Sequence, residues 1–161
     1  MFRHRMRAAA ILVNAQKQVL LIHHRHPRRQ YHWLSPPGGG VEKGETIFEA
    51  AEREMLEECN LHCKAQKLLY VVEWLDEVRK IHHLELYIQV QYLAGTLQKG
   101  RDPEVDEKDQ MIFDCFFMTE KEIRAAILPV YPTILRNQFW QDYERNFQNH
   151  QVYLGREVEE L

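Results

Sequence analysis

The stretch that decides the fold is Gly38-Gly39-Gly40-Val41-Glu42-Lys43-Gly44-Glu45-Thr46-Ile47-Phe48-Glu49-Ala50-Ala51-Glu52-Arg53-Glu54-Met55-Leu56-Glu57-Glu58-Cys59-Asn60-Leu61. The glycine run, with Ser35-Pro36-Pro37 before it, is expected to form no regular structure. Thr46 to Cys59 reads as a helix. Thr46 is its N-cap, and Glu49, three residues on, completes a capping box. Asn60 can end the helix, because Asn tolerates the left-handed conformation. At about 100° per residue, Glu57 and Glu58 flank Glu54 on one arc. Ala50 lies one turn earlier on that arc and leaves room above it. Phe48, Ala51 and Met55 form an adjacent apolar arc that can bury the helix.

Three carboxylates so close repel one another, and like charges at i, i+4 cost a few tenths of a kcal/mol each. They also sit near the C-terminal end, where the helix dipole disfavours negative charge. Glu-rich helix faces are in general solvated surfaces. Here the preceding glycines let backbone approach a ligand closely. Arg53, four residues from both Glu49 and Glu57, is placed to hold a carboxylate. A hard divalent cation, Mg²⁺ or Mn²⁺, would relieve the repulsion through oxygen ligands. Such an ion can polarise a phosphate and activate water.

Outward from the helix, Met6–Val13 and Gln18–His23 read as two strands of a hairpin about Asn14-Ala15-Gln16-Lys17. Arg25-His26-Pro27-Arg28-Arg29 is a basic loop. Leu68–Leu75 reads as a strand. Leu84 to Tyr92 alternates, with Leu84, Leu86, Ile88, Val90 and Tyr92 on one face and Glu85, Tyr87, Gln89 and Gln91 on the other. That polar face could line a pocket. Gly100–Asp109 is a charged loop, Met111–Met118 a strand, and Thr119 starts a short helix to about Ala126. Leu135, Phe139, Tyr143 and Phe147 recur every fourth residue, which predicts a C-terminal helix over about 133–147. An acidic, mobile tail is expected after it.

The 161 residues fit a single domain. The net charge of −3 argues against bulk nucleic-acid binding, and no apolar run approaches the ~20 residues of a membrane span. Residues 1–41 carry seven Lys/Arg and no acid. A transit peptide can look like this, but the segment reads as strands whose basic side chains partly serve an anionic substrate. Cys59, Cys63 and Cys115 make an odd count without a CxxC pair. Reduced thiols in the cytoplasm are expected, not a disulfide framework.

Gly39, five residues, Glu45, seven residues, then Arg53-Glu54-Met55-Leu56-Glu57-Glu58-Cys59-Asn60-Leu61 resembles the Nudix box, G-x5-E-x7-R-E-U-x-E-E-x-G-U, with Asn60 in place of the final Gly. Trp33-Leu34-Ser35-Pro36-Pro37-Gly38-Gly39 is similar to the family's lead-in. The resemblance implies an α/β fold, an α/β/α sandwich around a mixed sheet. It implies attack by water on a nucleoside diphosphate linked to another moiety: a nucleoside triphosphate, ADP-ribose or a nucleotide sugar. By position, Glu54, Glu57, Glu58 and the Gly39 carbonyl would bind metal, and Arg53 and Glu45 would orient them. Glu54 is the general-base candidate within the box, and Glu104 and Glu107 are candidates on the later loop.

Arg25, Arg28 and Arg29 are candidates for substrate phosphates, and Trp33, Tyr31 and Tyr87 for its base. His23, His24, His82 and His83 make no chelate, since adjacent residues of a strand face opposite ways. The tyrosine of diadenosine polyphosphate hydrolases, the proline of ADP-ribose enzymes and the nicotinamide-dinucleotide array are not at their expected spacings. The partner expected is a small nucleotide-like molecule, with a homodimer left open. A non-catalytic Nudix-fold binding module is the competing reading; the full set Glu45, Arg53, Glu54, Glu57 and Glu58 favours the enzyme.

Overall fold

A computed structural model describes residues 1–101 and 106–158. Five strands form a mixed sheet: β1 (Arg3–Ile11), β4 (Gly38–Gly40), β5 (Leu61–Asp76), β6 (Ile81–Gly95) and β8 (Tyr153–Arg156). Their order is β4-β1-β6-β5-β8, with β1–β6 and β5–β8 parallel and the other pairs antiparallel. A second, antiparallel sheet has the order β3-β2-β7, from β2 (Gln18–Arg25), β3 (His32–Ser35) and β7 (Ile112–Thr119).

Alternation along β1 explains the layers. Ala8 and Ala10 point to the core under helix α1 (Ile47–Cys59), with Ala50, Ala51 and Met55. Ala9 and Ile11 point the other way, to Leu135 and Phe139 and to Ile123 of helix α2 (Glu120–Ala125). Both faces of the mixed sheet are therefore covered, as in an α/β/α sandwich. The small side chains at 8–10 let α1 and β4 approach closely.

Several expectations change in detail. The Asn14–Lys17 turn forms, with Asn14 Oδ1 accepting from the Gln16 and Gln18 amides at 3.0 Å each. The hairpin opens immediately, because β1 and β2 enter different sheets and keep only a Val13–Val19 bridge next to the turn. Gly38–Gly40, expected to be irregular, is strand β4. It pairs with β1, and a methyl group on Gly38 would lie 2.7 Å from Ala8 O. Tyr92, assigned to the buried face of β6, is half-exposed beyond the cover of α1.

The C-terminal helix is not continuous. A 3₁₀ turn at Thr133–Arg136 and a short helix α3 (Phe139–Glu144) are separated at Asn137, whose backbone is non-helical. Left-handed Asn146 and Phe147 end the segment. Leu135, Phe139 and Phe147 are nevertheless buried together beside Tyr70, so the apolar stripe is a packing signal carried on broken helix. The start of the expected mobile tail is ordered: Arg156 is in β8, the Glu157 amide donates to Glu73 O at 2.7 Å, and the Glu157 carboxylate accepts from the Thr133 amide. Residues 159–161 lie outside the described residues.

Candidate active site

Helix α1 starts as its sequence dictates. Thr46 Oγ1 accepts from the Glu49 amide at 3.1 Å, and the Glu49 carboxylate accepts in turn from the Thr46 amide at 2.8 Å. Asn60 ends the helix at φ 59°, ψ 30°, so the departure from Gly leaves the left-handed turn intact. Those two caps fix the rotation of α1, which sends its apolar arc to the core and its carboxylates toward β4.

Arg53 is the organising residue. Its Nε donates to Glu45 Oε1 at 2.7 Å and its Nη2 to Glu45 Oε2 at 3.0 Å, a bidentate pair. Nη1 donates to Glu54 Oε1 at 2.9 Å and to Glu57 Oε2 at 3.2 Å, and Nη2 also reaches the Gly40 carbonyl at 3.1 Å. One guanidinium thus ties the loop before the helix, strand β4 and two box carboxylates together. The Arg53 positive charge is strongly reinforced by Glu45 and Glu54, and Glu45 is held below the usual carboxylate range by Arg53.

Glu58 lies on the other side of Glu54, and its Oε1 accepts from the Gly38 amide at 2.7 Å. Desolvation and the neighbouring Glu54 push its carboxyl up to about 8. Burial raises Glu54 as well. A methyl group on Gly39 would lie 2.2 Å from Glu54 Oε1, so only glycine admits that carboxylate against β4. Among the described residues, no three His, Cys, Asp or Glu side chains are already gathered about one point; Glu54 and Glu57 turn to Arg53 instead. The donors are nevertheless all oxygen, two of them desolvated carboxyls in mutual repulsion, which suits a hard divalent cation.

Glu57 and Glu58 border a cleft of about 1400 Å³, while Glu54 is not among its lining residues. Arg28, Trp33 and Tyr87 line it, as does Tyr31. Tyr87 is buried, and its hydroxyl donates to Glu85 at 2.7 Å. Arg25 and Arg29 are not among its lining residues. Arg25 is occupied elsewhere, donating to the carbonyls of Gln110, at 2.8 Å, and Glu107, with its guanidinium over the Phe113 ring. Glu104 lies outside the described residues. The Glu107 side chain is largely exposed, and Asp109 rather than Glu107 reaches the cleft.

Sequence reasoning does not single out Arg5, Arg7 or Trp74 and reads His83 only as no part of a chelate, yet all four line the cleft. The signal for the arginines was their alternation, Arg3-x-Arg5-x-Arg7, on a strand that was read only from Met6 onward. Glu85 was seen only as part of a polar face.

The family model of the NUDIX domain matches residues 3–138, and the chain belongs to that family. A NUDIX hydrolase from Nitrosomonas europaea superimposes with a TM-score of 0.70 at 21% identity, covering 92% of this chain and 98% of that one. A 95-residue stretch is 41% identical to the Mus musculus protein named 8-oxo-dGDP phosphatase NUDT18, covering 59% of this chain and 28% of that protein. A 71-residue stretch is 37% identical to the ADP-ribose pyrophosphatase of Methanocaldococcus jannaschii, covering 44% of this chain and 42% of that protein. The matched stretches thus span less than half of these relatives' lengths.

Proposed function

We propose that this chain is a divalent-cation-dependent pyrophosphohydrolase, cleaving a diphosphate linkage in a nucleotide-like substrate. The observation that carries this reading is the desolvated pair Glu54 and Glu58 beside Gly39, with Arg53 bracing Glu54 and Glu57. A binding module without catalysis would have no use for so costly an arrangement.

Glu54, Glu57, Glu58 and the Gly39 carbonyl would hold Mg²⁺ or Mn²⁺. When bound, the ion neutralises phosphate charge and acidifies a bound water. Glu54 would serve as the proton acceptor within the box. Arg53 and Glu45 act by holding the carboxylates. Arg28 is offered to substrate phosphates, and Trp33 and Tyr87 shape the cleft wall. Three cysteines outside any disulfide support a reducing, cytoplasmic setting.

The test is Mg²⁺-dependent release of phosphate or pyrophosphate from nucleoside triphosphates, nucleotide sugars, 8-oxo-dGDP and ADP-ribose. The last two enter the panel because relatives are named for them. Glu57→Gln is expected to abolish release. Unchanged turnover in that variant would sink the assignment.

A further inference from the structure

Beyond the box, one carboxylate organises the facing wall of the cleft. Glu85 Oε1 forms an ion pair with Arg7 Nε at 2.9 Å and accepts a hydrogen bond from Trp74 Nε1 at 2.9 Å. Its Oε2 accepts from the Tyr87 hydroxyl at 2.7 Å. The register explains the convergence: Glu85 on β6 is level with Arg7 on β1 and with Val72 on β5, which puts Trp74 diagonally across from it.

The three groups held by Glu85 differ in what they leave free. Tyr87 is buried and its hydroxyl is used. Arg7 spends only Nε; its terminal nitrogens make no hydrogen bond among the described residues. Those two N–H groups form the edge that grips two oxygens of a phosphate. Trp74 lies against the buried His83 ring, with centroids 4.1 Å apart and planes 5° apart. It has that one ring neighbour among the described residues. Trp33, by contrast, already carries two near-parallel rings, His24 at 5.0 Å and Tyr31 at 5.4 Å. Trp74 is therefore the tryptophan of the cleft with an indole face to offer.

Order across the sheet matches the order of groups in a nucleotide. Arg7 stands in register between Gly40 of β4 and Glu85 of β6, and Trp74 follows on β5. The sequence from the box carboxylates is thus cation site, guanidinium, aromatic ring. Arg5 and Arg79 share the cleft with Arg7.

We propose that Glu85 is a positioning residue which presents Arg7 to the diphosphate and the Trp74 indole to the aromatic base of a nucleoside diphosphate unit. This rests on the pyrophosphohydrolase reading and adds where each part of the substrate lies. An aromatic platform contributes about 1–3 kcal/mol per stacked base, roughly fivefold to a hundredfold in affinity.

Equilibrium titration with ADP, GDP, CDP and UDP, and with inorganic pyrophosphate as the probe without a base, tests it. Trp74→Leu is expected to weaken the preferred nucleoside diphosphate about tenfold and to leave pyrophosphate unchanged. Trp74→Phe, which restores a ring, is expected to recover most of the loss, separating stacking from a folding defect. Arg7→Gln should weaken both probes. Glu85→Gln should raise KM about tenfold while kcat stays within threefold, because the chemistry at the box is untouched. The proposal is overturned if Trp74→Leu binds the nucleotide as the wild type does, or loses pyrophosphate equally. It also falls, together with the hydrolase reading, if the wild type neither binds nor turns over any nucleotide. Wild-type turnover with an indifferent Trp74→Leu overturns this proposal alone.

Discussion

Arg53 and Glu45 face each other through two hydrogen bonds, Nε to Oε1 at 2.7 Å and Nη2 to Oε2 at 3.0 Å. The planar guanidinium can do this while its remaining donors hold Glu54 and Glu57; an ammonium cannot. Arg53→Lys is therefore expected to lose the shared brace although it keeps the charge. Stability should fall by about 1–3 kcal/mol in urea denaturation, and hydrolysis should fall at least tenfold because two carboxylates are no longer held. Glu45→Gln should give the same direction with a smaller activity loss, since Arg53 can still reach Glu54.

Gly38 and Gly39 are adjacent and should respond differently to alanine. A methyl group on Gly38 meets backbone, Ala8 O and Ala9 Cα, each at 2.7 Å. The β1–β4 pairing must then shift, and Gly38→Ala should destabilise the fold by about 1–3 kcal/mol. A methyl group on Gly39 meets the Glu54 carboxylate instead. That side chain can move, so Gly39→Ala should cost little stability but weaken Mn²⁺ binding by an order of magnitude in isothermal titration. Equal stability losses in the two variants would contradict the assignment.

The box was legible because its information is local. Thr46, Glu49, Arg53 and Glu57 lie within a few turns of one helix, where spacing alone decides who meets whom. The opposite wall was not. Arg7 meets Glu85 only because β1 and β6 pair in parallel across most of the chain, and alternation names the face of a strand without naming its neighbour. The mistaken helix over 133–147 failed for a related reason. Leu135, Phe139 and Phe147 had to reach one buried site beside Tyr70, and a broken segment met that need as well as a continuous helix would. Arg25 illustrates the limit for single charges: its basic character was plain, but its partners, the carbonyls of Glu107 and Gln110, are remote in sequence.

Asn60 replaces the glycine that usually ends this helix in the family's box. Its φ of 59° is costly for most residues and mild for Asn. Its Nδ2 also donates to Thr96 O at 2.9 Å across an exposed gap. Asn60→Gly gains backbone ease and loses that bond, so its stability should stay within about 0.5 kcal/mol of wild type. Asn60→Ala loses both and should cost about 1 kcal/mol. Urea midpoints compare the three directly, and an Ala variant as stable as Asn would show that the left-handed turn carries no strain.

His24 supplies a pH dependence separate from the cation site. Its ring stacks on Trp33, and its Nε2 is buried without a hydrogen-bond partner among the described residues. Desolvation, with Arg7 and His23 nearby, holds its pKa down to about 3, against an ordinary histidine value of 6.5. The folded state therefore keeps His24 neutral while the unfolded chain takes up the proton. Above about pH 6.5 both states are neutral and the group has no effect; as pH falls toward 3, stability is lost at about 1.4 kcal/mol per pH unit. His23 and His83 are lowered too and add to the slope in the same direction. His24→Phe should retain the stack on Trp33 and remove one proton's worth of that slope. Urea denaturation at pH 7, 6 and 5 reads it as convergence of the two proteins' stabilities, or a relative gain by the variant, on acidification. Parallel curves over that range would show that His24 takes up its proton at the same pH in the fold as in the unfolded chain.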